Sequence, residues 1–401
     1  MRGRRVRDLL VLVLSFSVAG VAYGQVHSGV HPVPAVVKQV LQSFDNPEGA
    51  VFSADGKFVF VSNAAEIGPD LAPAFAWTEG EGYISKLEVL PSGELKMVND
   101  KLITGLTAPL GMGVLPVSTQ QFPKGTIFAC VGSAPIRDNQ GNVIQERQRL
   151  QTKLLAFNED GKVLGEIKTG AGSIFEKING SPIILLNALG FDAKGNLFFA
   201  DTAFGGDQFA PPFEPKGGIW MIPVGSLDAL AAGKQPQEKP LFVAIPGNPD
   251  GVEVSPVDGK VYVNTVGPVA GAPDPAGGGI YAFTLDHFAA GELPTPMDRN
   301  LGALDGLDFT RGGTMLNSQI RDDIPHRLYV NCPGKVATTL AIVPSGAMAE
   351  LTGPADIAIR RVADGSHLVV IPELFARDAS PGDDEITVLA LPPNFDSACG
   401  T

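Results

Sequence analysis

Four oxygen-bearing side chains recur at one place in an internal repeat. Glu48, Asn187 and Asp305 each stand eight residues before a turn glycine (Gly56, Gly195 and Gly313), and Asp250 stands nine before Gly259. The surrounding text repeats with them, as "NPEGAVFSADGKFVFVSN", "LNALGFDAKGNLFFADT", "NPDGVEVSPVDGKVYVNT" and "LDGLDFTRGGTMLNS". Carboxylate and amide oxygens with positions left open for water are the donors that hard divalent cations take. Carboxylates held about 4 Å apart repel by ~4 kcal/mol per pair at an effective dielectric near 20, so such a column, once gathered, needs a cation or shared protons. The local alternative is that Asp-Gly and Glu-Gly are ordinary turn pairs and that Asn or Asp ahead of a strand bonds its own backbone.

The elements that would gather the column are strands. Each unit reads as a strand, a glycine turn, a second strand, a long loop and one or two further strands. Clear copies begin near Glu48, Asn187, Asp250, Asp305 and Ala355, with a weaker one near Leu110; in the last copy the column position is Ala355 or Asp356. Third and fourth strands are expected at "GYISKLEVL" and "ELKMVND", at "TKLLAFN" and "KVLGEIKTG", and at "GGIWMIPV" and "KPLFVAI", while "GGIYAFTL" opens a similar stretch. Six such units predict an all-β fold, a six-bladed β-propeller. The last copy ends one strand short at "DEITVLALPP", and "AVVKQVLQSF" (35–44) has no partner of its own, so the N-terminal strand is expected to close the ring. One short helix is expected at "GSLDALAAG", capped by Ser226 and stopped by Gly233.

In such a ring the first strand of each blade is innermost, so the column converges at one mouth of the channel. The second strands exit on the same face, at Asn63, Asp201, Asn264, Asn317 and Glu373. With Asn187, three of these (Asp201, Asn264 and Asn317) are candidate substrate-binding residues. The longest loops follow them, where binding usually resides; Phe75, Trp77, Phe204, Phe209 and Phe213 either wall a pocket there or pin the loops to the blades.

Composition bounds the partners. The 401 residues carry 30 basic and 43 acidic side chains, a net charge of −13 at pH 7. That disfavours nucleic acid and anionic lipid, both of which need cationic contacts. Residues 1–24 read as a signal peptide, a basic "MRGRRVR" before the apolar "LLVLVLSFSVAGVA". The expectation is a single propeller domain over 25–401, periplasmic or secreted, off the membrane after cleavage, monomeric, and acting on a small molecule. Of the three Cys, Cys130 reads as a buried strand residue, and Cys332 with Cys399 as a possible staple for the C-terminal tail. No C-x-x-C, H-E-x-x-H or G-x-S-x-G occurs.

These motifs resemble the senescence-marker-protein/gluconolactonase family, which includes regucalcin. The residues that carry the resemblance are Glu48 in "PEG", Asn187 in "LNALGFDAKG", Asp250 in "PDG" and Asp305 in "LDG". The resemblance implies a six-bladed propeller with one divalent cation at the channel mouth, Ca²⁺ first and Mg²⁺, Mn²⁺ or Zn²⁺ as alternatives. It implies Glu48, Asp250 and Asp305 as metal ligands, Asp305 also as catalytic base, and Asn187 as a substrate contact or a residue behind the ligands. The chain departs from the family pattern at Ala50-Val51-Phe52, at Asp250 in place of an Asn, and at Ala188-Leu189. The expected function is an exported metal-dependent hydrolase of a lactone or small ester. The alternative is a non-catalytic binding propeller whose cation is structural. A quinone-dependent sugar dehydrogenase is a third reading, disfavoured by two Trp and five His.

Overall fold

The computed structural model describes residues 34–396 apart from 66–78, 133–151, 181, 184, 204–216, 268, 270–276, 321–326, 333–336, 344–350, 352 and 375–383. Six antiparallel sheets form a six-bladed propeller. Their inner strands are Pro47–Phe52, Met112–Val114, Leu186–Phe191, Pro249–Val254, Leu304–Phe309 and Ala358–Arg361, which number blades 1 to 6. The weak copy near Leu110 is therefore a full blade, of four strands.

The blades are apolar on both faces because each is sandwiched between two others. Alternation along a second strand sends neighbouring residues into different interfaces. Phe198 packs with Val263 and Tyr281 between blades 3 and 4, whereas Phe199 packs with Phe128 and Trp220 between blades 2 and 3. Val59 and Val61 meet Val370 and Val388 across blades 1 and 6, and Phe60 meets Ile127 and Phe157 across blades 1 and 2. This is the physical origin of the near-continuous hydrophobic runs in the sequence.

The ring closes with the N-terminal strand. Pro34–Phe44 lies antiparallel on Asp384–Leu391, from Val36 opposite Ala390 to Phe44 opposite Asp384. Phe44 and Ala35 are fully buried there. A further clasp was not expected: Ala341–Val343, reached from the outer strand of blade 5, pairs in parallel with Pro34–Val36. Blade 6 is thus held by both ends of the chain and by its neighbour.

Two local expectations need correction. After Ile280–Phe283 the chain forms a helix, Leu285–Ala290, rather than a fourth strand, and blade 4 has three strands with a single bridge from Ile280 to Asp298. The cause is a capping box, in which Thr284 and His287 satisfy each other's backbone N–H groups. The expected helix exists at Leu227–Ala231, but the Ser226 side chain makes no cap bond and its hydroxyl donates instead to Glu238 O at 2.7 Å. A helical turn at Val224–Ser226 precedes it, so the chain is already helical where the cap was expected. Residues 1–24 and Cys399 lie outside the described residues; Cys332 is disulfide-bonded, and Cys130 is free and buried.

If the clasp carries closure, deleting residues 34–44 removes a whole outer strand with its buried Phe44. The melting temperature is expected to fall by roughly 10 °C or more in a thermal scan. An unchanged transition would show that the ring is held elsewhere.

Candidate functional site

The column residues do not precede the inner strands; each is the second residue of one, and each sits in the same β-bulge. In blade 1 the register jumps between Pro47 and Ala50, in blade 3 between Leu186 and Leu189, in blade 4 between Pro249 and Val252, and in blade 5 between Leu304 and Leu307. Two residues thus oppose one on the second strand: Glu48-Gly49 faces Ser62, Asp250-Gly251 faces Asn264, and Asp305-Gly306 faces Ser318. The opposing side chain accepts the bulge N–H, at 2.8 Å for Gly49 to Ser62 Oγ, 2.8 Å for Gly251 to Asn264 Oδ1 and 2.9 Å for Gly306 to Ser318 Oγ. The Glu-Gly and Asp-Gly pairs are therefore not turns, and the local alternative raised by their sequence does not describe them.

Their glycines serve the axis. A Cβ on Gly306 would lie 2.3 Å from Asp356 Cα, and one on Gly251 would lie 2.5 Å from Asp305 O. Backbones of adjacent inner strands approach this closely because the blades converge, and only a residue without a side chain fits. Hydrogen bonds cross the same gaps, from Gly111 N to Asn187 O at 2.8 Å, Gly306 N to Ala355 O at 3.1 Å and Asp356 N to Glu48 O at 3.1 Å.

By that register Ala355 is the column residue of blade 6, and Asp356 takes the place that glycine holds in its neighbours. Its carboxylate accepts from Ile357 N at 2.8 Å and from Ala50 N of blade 1 at 3.2 Å. Glu48, Asp250 and Asp305 are 3%, 3% and 4% exposed, and they surround it as mutual neighbours. Burial pushes the Glu48 carboxyl well above its ordinary range, with Asp305, Asp356 and Asp250 adding repulsion. Burial, then Asp305 and Asp356, does the same to Asp250. Asp305 is pushed up to about 8 by burial and by Asp356. Asp356 reaches about 7, burial being opposed by its two backbone bonds. Cys130, in the second strand of blade 2, is near enough that Glu48 and Asp356 add to the effect of burial in raising its thiol.

A second acidic tier lies below. Glu253 and Asp308 line a cavity of about 280 Å³ with Asp356, Val51, Gly113 and Gly190. Asp308 accepts from Phe309 N and from Ile359 N of blade 6, each at 2.6 Å. Burial raises Asp308 to about 8, against those bonds and aided by Asp356; burial and then Asp308 raise Glu253. Sequence reasoning missed these two and left Asp356 undecided. In a regular strand, residues three apart face opposite ways. The bulge cancels one alternation, so Asp250 and Glu253, and Asp305 and Asp308, share the channel face. The "DGVE" and "DGLD" spacings held that signal.

Of the remaining candidates, one belongs to the column and three sit behind it. Asn187 is the column residue of blade 3, 7% exposed. Asp201, Asn264 and Asn317 are fully buried in second strands. Asp201 Oδ1 accepts from Ala203 N at 3.1 Å; Asn264 Nδ2 donates to Gly306 O at 3.2 Å and to Asn317 Oδ1 at 3.1 Å; Asn317 Nδ2 donates to Asn331 Oδ1 at 2.9 Å. None of the three lines the cavity. Phe75, Trp77, Phe204, Phe209 and Phe213 fall outside the described residues.

Glu48 Oε2 and Asp250 Oδ1 are buried without a hydrogen-bond partner. Orphaned carboxylate oxygens beside other carboxylates fit a hard cation by donor type. Among the described residues, however, no group of three or more His, Cys, Asp or Glu is gathered closely enough to hold a metal ion as placed. The donor chemistry is present and a ready-made cage is not.

No family model matches the chain, and no curated protein does. Solved structures do match it. A candidate gluconolactonase is 13% identical with a TM-score of 0.50, over 90% of this chain and 94% of that one. A quinone-bound aldose sugar dehydrogenase from Streptomyces coelicolor is 14% identical with a TM-score of 0.50, over 89% and 97%. A regucalcin from Agrobacterium tumefaciens, described as calcium-binding, is 11% identical with a TM-score of 0.47, over 90% and 96%. The neighbours thus include the propeller class that the sequence motifs resemble. At these identities the likeness establishes the six-bladed fold, and the first two already differ in chemistry.

Two outcomes follow. Gly306→Ala should destabilise the fold by about 1–3 kcal/mol in denaturant titration, because the new methyl meets backbone and not a movable side chain. A neutral result would mean that the blades part freely at the axis. The second concerns pH. Carboxyls raised in the folded state contribute stability that is complete below the ordinary carboxyl range near pH 4 and is lost as pH rises through about 7 to 8. In chelator the melting temperature should therefore fall between pH 5 and 9, and saturating Ca²⁺ should flatten the fall. A flat profile in chelator would contradict a buried, mutually repelling cluster.

Proposed function

We propose that the bulge-bearing mouth of the channel is the site of a divalent-cation-dependent hydrolase acting on a lactone or small ester. The observation that carries this reading is the convergence of Glu48, Asp250 and Asp305 on one axis with buried oxygens lacking partners. These three would hold the cation, with Ca²⁺ favoured by an all-oxygen set and Mg²⁺ or Mn²⁺ next; the set lacks the nitrogen or sulfur that Zn²⁺ usually takes. A bound divalent cation supplies a Lewis acid for the carbonyl oxygen and a means of acidifying water.

The chain's own part is proton handling and positioning. Without a cation, burial and Asp356 hold Asp305 up at about 8, largely protonated near neutral pH; beside a bound cation it would shift toward the carboxylate, the form that would accept a proton from water. Asp356 beside it is one cause of that basicity, being a second negative charge in the same buried space. Asn187, on the same tier and carrying both donor and acceptor, is the substrate contact in this reading. Asp201 and Asn264 act through backbone bonds behind the site, and Asn317 through its bond to Asn264. Export is part of the proposal: the N-terminal basic-then-apolar segment supports it, and so does a disulfide-bonded Cys332, since such bonds persist in oxidising compartments.

Asp305→Asn should keep the fold while losing hydrolysis on the order of 10²- to 10⁴-fold, assayed on a panel of sugar lactones and aryl esters with and without chelator. Full activity in that variant would remove Asp305 from the chemistry. Stoichiometric cation in the purified protein with no turnover on any member of the panel would select the binding propeller instead.

A further inference from the structure

Asn264 stands alone among the residues opposite the bulges in being an asparagine. Ser62 touches only its own bulge, accepting from Gly49 N at 2.8 Å and lying 3.4 Å from Gly49 O. Ser318 accepts from Gly306 N at 2.9 Å and donates across to Ala355 O of blade 6. Asn264 also spans two blades, and it alone reaches on to a second-strand side chain of the next blade, Asn317. Its Oδ1 accepts from Gly251 N at 2.8 Å in blade 4, and its Nδ2 donates to Gly306 O in blade 5 at 3.2 Å. Those are the bulge residues directly after Asp250 and Asp305.

The orientation of this amide is fixed from both ends. Asn264 Nδ2 also donates to Asn317 Oδ1 at 3.1 Å, Asn317 Nδ2 to Asn331 Oδ1 at 2.9 Å, and Asn331 Nδ2 to Asp298 Oδ2 at 3.2 Å. A carboxylate can only accept and a backbone N–H can only donate. With an acceptor at one end and a donor at the other, each amide in the chain has one arrangement that satisfies its neighbours. Asn264, Asn317 and Asn331 are 0%, 0% and 1% exposed, so water offers no competing partner.

We infer that Asn264 is a positioning residue: it cross-links the two bulges that carry Asp250 and Asp305 and thereby sets the separation of those carboxylates. The inference deepens the reading of the channel mouth as a cation-dependent site and rests on it for its functional consequence, while the cross-link itself stands on geometry. A serine at 264 could still bond across to the next blade, as Ser318 does, whereas an alanine keeps neither the acceptor for Gly251 N nor the donor to Gly306 O and Asn317.

The test is Asn264→Ala, read by crystal structure and by calorimetric titration with Ca²⁺ and then Mn²⁺. The distance between Asp250 Cα and Asp305 Cα should change by ~0.5 Å or more, the scale on which functional constellations fail. Cation affinity should fall about tenfold or more, as when a residue supporting a metal ligand is lost, with the melting temperature shifted by only a few degrees. An unchanged separation overturns the inference whatever the cation does. A changed separation in a protein whose wild type binds neither ion keeps the cross-link and discards the cation reading. Asn317→Ala touches neither bulge and frees Asn264 Nδ2 from one acceptor; it should give a smaller change of the same kind, and it carries the test if Asn264→Ala does not fold.

Discussion

The structure depends on how closely six inner strands can approach one axis. Their backbones come within van der Waals contact at the bulges, where a Cβ on Gly251 or Gly306 would meet neighbouring main chain at 2.5 or 2.3 Å. That contact is also where hydrogen bonds cross from blade to blade. One local distortion, repeated, therefore joins the blades and turns side chains inward. Because it repeats in register, residues more than 250 positions apart in sequence, such as Glu48 and Asp305, arrive on the same tier.

Gathering acids in this way has an electrostatic cost that the described residues do not offset. Glu48, Asp250, Asp305 and Asp356 crowd the upper tier, Glu253 and Asp308 the lower, and no basic side chain is among the described residues lining the cavity beside the lower tier. Burial is the leading cause of the raised pKa at each of the six, and mutual repulsion adds to it at all but Asp356. Such a cluster persists either by holding protons or by holding a cation, and both are pH-dependent in the same window. Stability and any activity of the channel are thus linked through the same groups.

The blades were legible because the repeat is periodic and the glycine turns punctuate it. Ring closure was legible because the last copy lacked a strand that "AVVKQVLQSF" could supply. The column was found by register alone, although its local cause was not: Asp-Gly reads equally as a turn, and nothing in a single strand announces a bulge. For the same reason Glu253 and Asp308 stayed hidden, since strict alternation assigns them to the wrong face. Asp356 stayed ambiguous because blade 6 puts an acid where its neighbours put glycine, so the motif has no glycine to align on. The role of Asn264 needed coordinates, because its partner Gly306 lies 42 residues away in the next blade.

The wall of the channel is not uniform, and this bears on what it can receive. The six acids come from blades 1, 4, 5 and 6, whereas blades 2 and 3 contribute Leu110, Gly113, Asn187 and Gly190 at the corresponding positions. An anionic half draws a cation toward one side, and a neutral half leaves a face on which an uncharged ligand is not repelled. Asn187, the polar side chain on that face, can both donate to and accept from a carbonyl or hydroxyl. In the proposed reading a sugar lactone, neutral and carrying one polarisable carbonyl and several hydroxyls, would match both halves at once. On the same reading, an anionic substrate would face these acids with no Lys or Arg among the described residues lining the cavity, and the field that would draw a cation would disfavour it.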